Sequence, residues 1–540
     1  MAELLLRPWQ RLALDKLATH TERDFLTVAT PGAGKTTFAL VAVNRELHAR
    51  PGPTVIVAPT AHLKRQWAEA GASVGLHLDP DWVAGNDFAP DMHGIVTTYQ
   101  QVALAAPDLV RRCYDGIIVL DEVHHAGDEM AWGTSVGEAF KLARRRISLS
   151  GTPFRSDTAA IPFVRYHFEE AVPDVEYGYG DALADGVVRP VYFPRIDGEM
   201  EWVAPDGNEY QASFADKLNH TLTAQRLRTA LSPHGNWLPD VLGRAHETLT
   251  QIRQTHAEAG GLVICIDAEH AKAVAAILRH VTHSEPTVAL SEDRDSSERI
   301  ARFRESDSPW IVAVRMVSEG VDIPRLRVGV FATTTTTELF FRQAVGRLVR
   351  TTKETMGARA VMYLPDDPRL RAHAMGIAEP RRHVLRRKED DEQPNVPDQI
   401  EDPLDGMLAG QAEQASLFEV LSAQVADSGE AVPEWLDIEP FPQADAQGFE
   451  LIIDTPPTPA GIVPASPPAG IATKSRAVTK TTLRQRNSDL VRVLVRRTGH
   501  GPREINARLN SRIGLAKISD ATAEQLMDRI TAAQHWIDEL

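Results

Sequence analysis

The amino-acid sequence predicts an α/β chain: two successive lobes, each a mostly parallel sheet covered by helices, then a linker and a small helical C-terminal domain. Three observations predict it. At 540 residues the chain is too long for one core, since domains run to roughly 100 to 200 residues. Short apolar runs alternate with segments of helical periodicity, the pattern of strands joined by crossover helices. That alternation occurs twice before Pro365, as architecture without any sequence repeat.

In the first lobe, assigned residues 1–190, the strand-like runs are 24–30, 54–60, 94–99, 116–122 and 146–153. Runs that are apolar almost throughout, not alternating, indicate strands buried on both faces of a parallel sheet. Helical segments at 35–48 and 61–72 separate them. The second lobe, 246–375, repeats the pattern with runs at 261–267, 287–292, 310–316, 328–334 and 358–365. Between the lobes, 191–245 reads as a connector or insertion with a turn at 204–210 (APDGNEY) and a helix around 222–231. Residues 376–473 are acidic and then Pro-rich, a composition that favours an extended linker, with apolar islands such as 415–425 able to dock. Apolar positions Leu483, Leu490, Val493 and Leu494 return at helical spacing in the basic segment 474–540, and a second helix is expected over 521–540.

Composition narrows the class. An apolar fraction of 43% with 24% charged residues is that of a folding chain, not a disordered one. No run of about 18 apolar residues occurs, and the N-terminus, MAELLLRPWQ, lacks the charged start and apolar core of a secretory signal, so a cytoplasmic protein without a membrane partner is expected. Cys113 and Cys265 sit in apolar runs and read as reduced core residues. The net charge of −16 is uneven: residues 389–454 hold 18 of the 74 acidic residues and no Lys or Arg, leaving 58 positive against 56 negative elsewhere. Residues 474–517 carry 12 Lys and Arg against Asp489 and Glu504 alone. A polyanionic partner is therefore compatible with the charge.

The chemistry begins after the first long run. Ala29-Thr30-Pro31-Gly32-Ala33-Gly34-Lys35-Thr36-Thr37 turns directly into a helix. Glycines there let backbone N–H groups face phosphates, the helix start adds its positive end, Lys35 reaches the β- and γ-phosphates and Thr36 holds magnesium. Ala29 stands where the general pattern has Gly. The fourth run ends in Asp121-Glu122-Val123-His124-His125, placing carboxylates at the C-terminal edge of a buried strand, where open α/β sheets bind ligands. Asp121 suits a magnesium ligand and Glu122 the orientation and deprotonation of an attacking water. A zinc site at His124 and His125 is the competing reading, disfavoured because neighbours on a strand point to opposite faces.

With these motifs the sequence resembles the superfamily 2 helicases and translocases, specifically the DExH group of restriction-enzyme motor subunits and RadD-like repair helicases. The resemblance spans about residues 4 to 365 and implies two RecA-like lobes that bind ATP and Mg2+. It implies that Arg7 and Gln10, in Leu6-Arg7-Pro8-Trp9-Gln10, recognise the adenine. Pro59, Thr60 and Gln66 resemble motif Ia, and Thr97 and Thr98, with Tyr99 and Gln100, motif Ib, both strand-contacting. Ser150 and Thr152, in a segment running through Arg155, resemble motif III, which couples nucleotide state to strand binding. Ser318, Gly320 and Asp322 resemble motif V, and Gln343, Arg347 and Arg350 motif VI, whose arginines face the γ-phosphate. Taken alone, those arginines describe a solvated helix face. Spaced three apart, Arg347 and Arg350 are expected on one face of one helix, pointing into an interlobe cleft.

The expected activity is ATP-dependent movement along, or unwinding of, a nucleic acid, with DNA favoured over RNA. The alternatives are a duplex-DNA translocase that does not unwind, in a restriction, defence or repair assembly, and an ATP-gated clamp or scaffold. The basic C-terminal block fits nucleic-acid contact and a solvated face equally, or contact with the acidic linker in cis. Either segment is a candidate for protein partners. The segment 389–454 is also expected to shield basic surfaces by mimicking a polyanion.

Overall fold

The computed structural model describes residues 2–127, 130–151, 160–167, 170–205, 207–290, 296–314, 323–351, 358–377, 419–425, 449–461 and 476–540. Its first lobe is a seven-stranded, wholly parallel sheet. In chain order the strands involved are β2 (Asp24–Ala29), β3 (Thr54–Ala58), β4 (Leu78–Asp79), β5 (Gly94–Thr98), β6 (Ile117–Leu120), β7 (Arg145–Ser150) and β10 (Val175–Tyr177), preceded by an N-terminal strand β1 (Ala2–Leu6) outside this sheet. Two short strands, β8 (Tyr166–His167) and β9 (Glu170–Ala171), pair with each other. The spatial order is β10-β2-β7-β6-β3-β5-β4. Every side chain of β6 is buried, as the apolar run Ile-Ile-Val-Leu requires, and each such side chain contributes about 1.5–3 kcal/mol.

That order positions the chemistry. β2, β7 and β6 are adjacent, with Val28 opposite Ser150 and Leu120 opposite Ser148. The loops leaving their C-terminal ends, at residues 29–36, 121–123 and 150–151, therefore share one edge of the sheet.

The second lobe is also wholly parallel. Its strands are β11 (Val191–Tyr192), β12 (Arg195–Ile196), β15 (Gly260–Cys265), β16 (Thr287–Ala289), β17 (Trp310–Val314), β18 (Leu326–Ala332) and β19 (Ala360–Pro365), in the order β11-β19-β18-β15-β17-β16, with β12 also on β19. The chain thus enters this sheet at Val191, earlier than the boundary at 246 drawn from sequence; residues 191–196 are edge strands of lobe two. The turn at 204–210 joins β13 (Gly198–Val203) to β14 (Glu209–Ser213) in an antiparallel pair, and the expected helix spans His220–Ala230, capped by the Asn219 side chain.

Two pieces of the segment assigned as a linker are strands. β20 (Glu419–Val425) adds to β13, and β21 (Phe449–Ile453) adds to β1. Ala423 and Ile453 are buried, so apolar islands amid acidic residues dock on opposite lobes. The rest of 378–448, and 462–475, lie outside the described residues. The C-terminal domain is three helices, Arg476–Thr498, Pro502–Arg512 and Ala523–Asp538, around Leu494, Ile505, Leu509, Ala533 and Trp536. Arg529, fully buried there, donates to the amide oxygens of Asn487, Asn506 and Asn510. Among the described residues no helix is long and apolar enough to cross a membrane.

Candidate nucleotide site and interlobe cleft

The phosphate loop is held from behind by the N-terminal motif. Arg7 donates to the Gly32 carbonyl at 2.7 Å, Trp9 to Ala33 at 3.0 Å and Gln10 to Gly34 at 2.8 Å. Three successive carbonyls are thus held from the side of the N-terminal motif, and the Ala33 N–H closes the turn on the Thr30 carbonyl at 3.1 Å. Gly32 and Gly34 sit at φ +81° and +93°, a region that glycine enters without steric penalty. A Cβ on Gly34 would come 2.6 Å from the Gln10 amide nitrogen. Gln10 is buried, and its oxygen accepts from the Arg7 N–H at 2.8 Å. In this structure the amide nitrogen of the expected adenine reader holds the loop and its oxygen caps the start of its own helix.

Lys35, at the start of the helix Lys35–Ala49, donates to the Ala29 carbonyl at 3.1 Å and lies 3.0 Å from a Glu122 oxygen. The other Glu122 oxygen accepts from the Gly151 N–H at 3.0 Å and is 3.7 Å from His124. Burial opposes the charge on Glu122, but Lys35, His124 and the Gly151 N–H together outweigh it and hold this carboxyl below the usual range. Asp121 moves the other way: burial first, then the Glu122 charge, push it up against the opposing pull of Lys35 and the Trp67 N–H. Trp67 donates to Asp121 at 2.8 Å, and the Tyr99 hydroxyl to the Asp121 carbonyl at 2.8 Å. Gly151 is tight as well, since a Cβ there would stand 2.9 Å from the Lys35 ammonium.

The two histidines differ from the sequence expectation. They lie on a 3-10 turn, Val123–Gly127, not on a strand, and their rings are 4.5 Å apart. His124, buried, meets the Ser150 hydroxyl at 3.1 Å. Glu122 and His124 are thereby tied to Ser150 and Gly151. Thr152 and residues 153–155 lie outside the described residues, as do Ser318, Gly320 and Asp322.

The second lobe reaches the loop through its helix Glu338–Leu348. A Cβ on Gly346 would fall 2.6 Å from the Pro31 Cβ, and a Cβ on Gly32 would be 3.4 Å from the Arg350 side chain. The loop and the Gln343-to-Arg350 segment are therefore in contact across the lobes. Arg347 is buried in the last helical turn. Arg350 is not on that helix, contrary to expectation: the helix ends at Leu348, and Arg350 pairs with Val188 while Val349 accepts from the Arg189 N–H at 2.8 Å. Backbone pairing with Val188 and Arg189, just ahead of the second lobe's first strand, ends the helix and turns Arg350 toward Gly32. Arg342 is spent within lobe two on Glu338 and the carbonyls of Gly376 and Ile377.

The expected strand-contacting residues divide. Pro59, Thr60 and Gln66 lie at or on the helix Ala61–Ser73, with Gln66 half-buried and bonded to His62. Thr97 and Thr98 are buried; Thr98 caps the helix Tyr99–Arg112 through Gln101, to which Thr97 also donates. Those hydroxyls are engaged at the helix start. Cys113 and Cys265 are buried, and burial pushes both thiols up, as small inert core residues.

Two parallel-sheet lobes meeting across a phosphate loop define a two-lobed P-loop protein. Residues 3–155 match the family described as type III restriction enzyme, res subunit, and residues 245–352 match the helicase conserved C-terminal domain. The chain is 45% identical over 411 residues to the uncharacterized protein Rv2917 of Mycobacterium tuberculosis (strain ATCC 25618 / H37Rv), covering 74% of this chain and 67% of that protein. It is 26% identical over 356 residues to the DNA 3'-5' translocase XPB2 of Sulfurisphaera tokodaii, covering 61% and 75%. The fragment structure of a putative HsdR subunit of a type I restriction enzyme from Vibrio vulnificus YJ016 aligns with a TM-score of 0.48 at 16% identity, over 69% of this chain and 66% of that one. The chain belongs to the superfamily 2 helicases and translocases, with two RecA-like lobes.

Proposed function

We propose that the protein hydrolyses ATP between its lobes to move along, or unwind, a nucleic acid, with DNA favoured over RNA. The observation that carries this is the approach of Gly346 and Arg350 of one lobe to Pro31 and Gly32 of the other. The family match and the likeness to a protein named as a DNA translocase support the choice of DNA.

In this mechanism the N–H groups of the loop and Lys35 receive the β- and γ-phosphates. Lys35 exchanges its contact with Glu122 for phosphate oxygens, which frees that carboxylate, ionised at neutral pH, to orient the attacking water. Thr36 and Asp121 would hold Mg2+, and their hard oxygen donors fit it. Asp121, whose burial disfavours a lone charge, gains from a cation there; the ion would neutralise charge on the triphosphate. Arg347 and Arg350 stabilise the transferring phosphoryl group from lobe two, so that closure and turnover depend on each other. Ser150 and Gly151, through His124 and Glu122, relay the nucleotide state along the lobe edge toward the strand-binding surface formed with Pro59, Thr60 and Gln66.

ATP turnover measured with single-stranded DNA, duplex DNA, forked DNA and RNA as stimulants, alongside strand displacement, tests the reading. Stimulation by DNA with tracking or displacement is expected. Slow turnover that no polynucleotide stimulates would leave an ATP-gated clamp instead. Stimulation by duplex without displacement would assign a translocase that does not unwind.

A further inference from the structure

The geometry points to residues 449–461 as a strap that positions the nucleotide loop from the far end of the chain, an inference that rests on the ATP reading above. Phe449–Ile453 pairs with Ala2–Leu6 in full antiparallel register, Ala2 opposite Ile453 and Leu6 opposite Phe449. Among the described residues this two-stranded ribbon joins no larger sheet. A lone two-stranded ribbon is marginal in water; this one persists because Leu6 and Ile453 are buried and Leu4 and Leu451 partly buried against the lobe core. The residue after Leu6 is Arg7, whose guanidinium holds Gly32, and the ribbon thus fixes where the Arg7-to-Gln10 motif begins. The Arg11 guanidinium also lies 4.3 Å from the Phe449 ring centroid.

The same segment then grips the helix that follows the loop. Asn44, buried on Lys35–Ala49, donates to the carbonyls of Val74 at 3.1 Å and Asp454 at 2.9 Å, so both its amide hydrogens are committed. Thr455 sits where a Cβ on Gly75 would stand 2.6 Å from its hydroxyl. Buried His93 accepts from the His77 N–H at 2.8 Å, and its Nε2, 2.8 Å from the Pro456 carbonyl, must be the protonated nitrogen because a carbonyl only accepts. Thr458 donates to the Pro90 carbonyl at 2.9 Å. One residue on, Asp91 holds the C-terminal domain, through a buried ion pair with Lys480 at 2.9 Å and the Ala523 N–H at 3.0 Å.

The strand that leads into the Arg7-to-Gln10 motif holding the phosphate loop, and the helix that follows the loop, are therefore both held by one segment from the tail, Asn44 and Asp454 being separated by 410 in sequence. Arg7, Gln10 and Lys35 keep their places only while the strap is seated. By linkage, strap docking and nucleotide binding strengthen each other by the same factor.

Two measurements test this. In the full chain, Leu451→Asp with Ile453→Asp puts charge against the lobe core and releases the ribbon. The KM for ATP is expected to rise about tenfold, within the usual range of coupling, with kcat at saturating ATP retained. A merely structural role would lower kcat in step with the folded fraction and leave KM in place, and that result overturns the proposal. In the unaltered chain, saturation with a non-hydrolysable ATP analogue is expected to slow hydrogen exchange at the amides of 449–453 by about the same factor. Unchanged exchange with the analogue bound also overturns it. Turnover with an unmoved KM rejects the strap alone, whereas no ATP binding by the unaltered chain rejects the ATP reading and the strap together.

Discussion

Each of the two lobes is a parallel sheet with buried central strands, but the residues gathered at their strand ends differ. In lobe one the strand ends feed the crowded edge at 29–36, 121–123 and 150–151, where Arg7, Trp9 and Gln10 hold three carbonyls and Lys35 bridges to Glu122. In lobe two the strand β18 leads to the helix Glu338–Leu348, which offers the bare Gly346 and Arg347, with Arg350 just beyond its end. The common scaffold supplies placement, while the loops at its strand ends set the two lobes apart, and under the proposed function they decide which lobe binds phosphate and which completes the site.

Five variants sharpen or break that division. The largest effect is expected for Arg350→Ala or Arg347→Ala, which remove the contribution of lobe two: turnover should fall about 10³- to 10⁵-fold, with the affinity for a fluorescent ATP analogue far less changed. Glu122→Gln, confined to lobe one, should slow turnover by about 10²- to 10⁴-fold in the same assay. A Glu122→Gln chain that hydrolyses ATP normally would remove this residue from the mechanism. Gly346→Val places carbon where Pro31 stands and should force the lobes apart; since a displacement of about 1 Å can cost about 10²-fold, a loss near that size is expected in kcat. The smallest effect on turnover is expected for Asp91→Ala. It strands the buried Lys480 charge, so the C-terminal helices should lose docking stability of about 3–5 kcal/mol, seen by denaturant unfolding followed through Trp536.

Much of this was legible in the sequence where the signal is local. Buried parallel strands announce themselves as unbroken apolar runs, and all ten expected strands are present within a few residues. The phosphate loop and the Asp121-Glu122 pair are marked by residue type and spacing. What stayed hidden depends on partners distant in the chain. Nothing near Phe449 marks it as the neighbour of Leu6, because a ribbon of this kind is stabilised by the lobe beneath it. No glycine or proline follows Leu348 to end that helix; pairing of Arg350 with Val188 does so. Thr97 and Thr98 fit a family pattern by position, and in the structure Thr98 caps its helix through the Gln101 N–H while Thr97 donates to the Gln101 side chain. A Thr-x-x-Gln capping signal was available at Thr98 and would have found that role.

The strap also changes how the acidic segment is to be tested for shielding of basic surfaces. Deleting 389–454 would remove β20 and β21 together, so neutralising the acidic residues of 389–413 alone is the cleaner variant, with tighter nucleic-acid binding expected from shielding and unchanged binding contradicting it.

The most direct test is a structure of the chain with Mg2+, ADP and a planar phosphoryl mimic such as aluminium fluoride. The account predicts that Lys35 has left Glu122 for the phosphates and that a guanidinium of Arg347 or Arg350 lies about 3 Å from the mimic. A bound mimic with no group of lobe two within reach would contradict it.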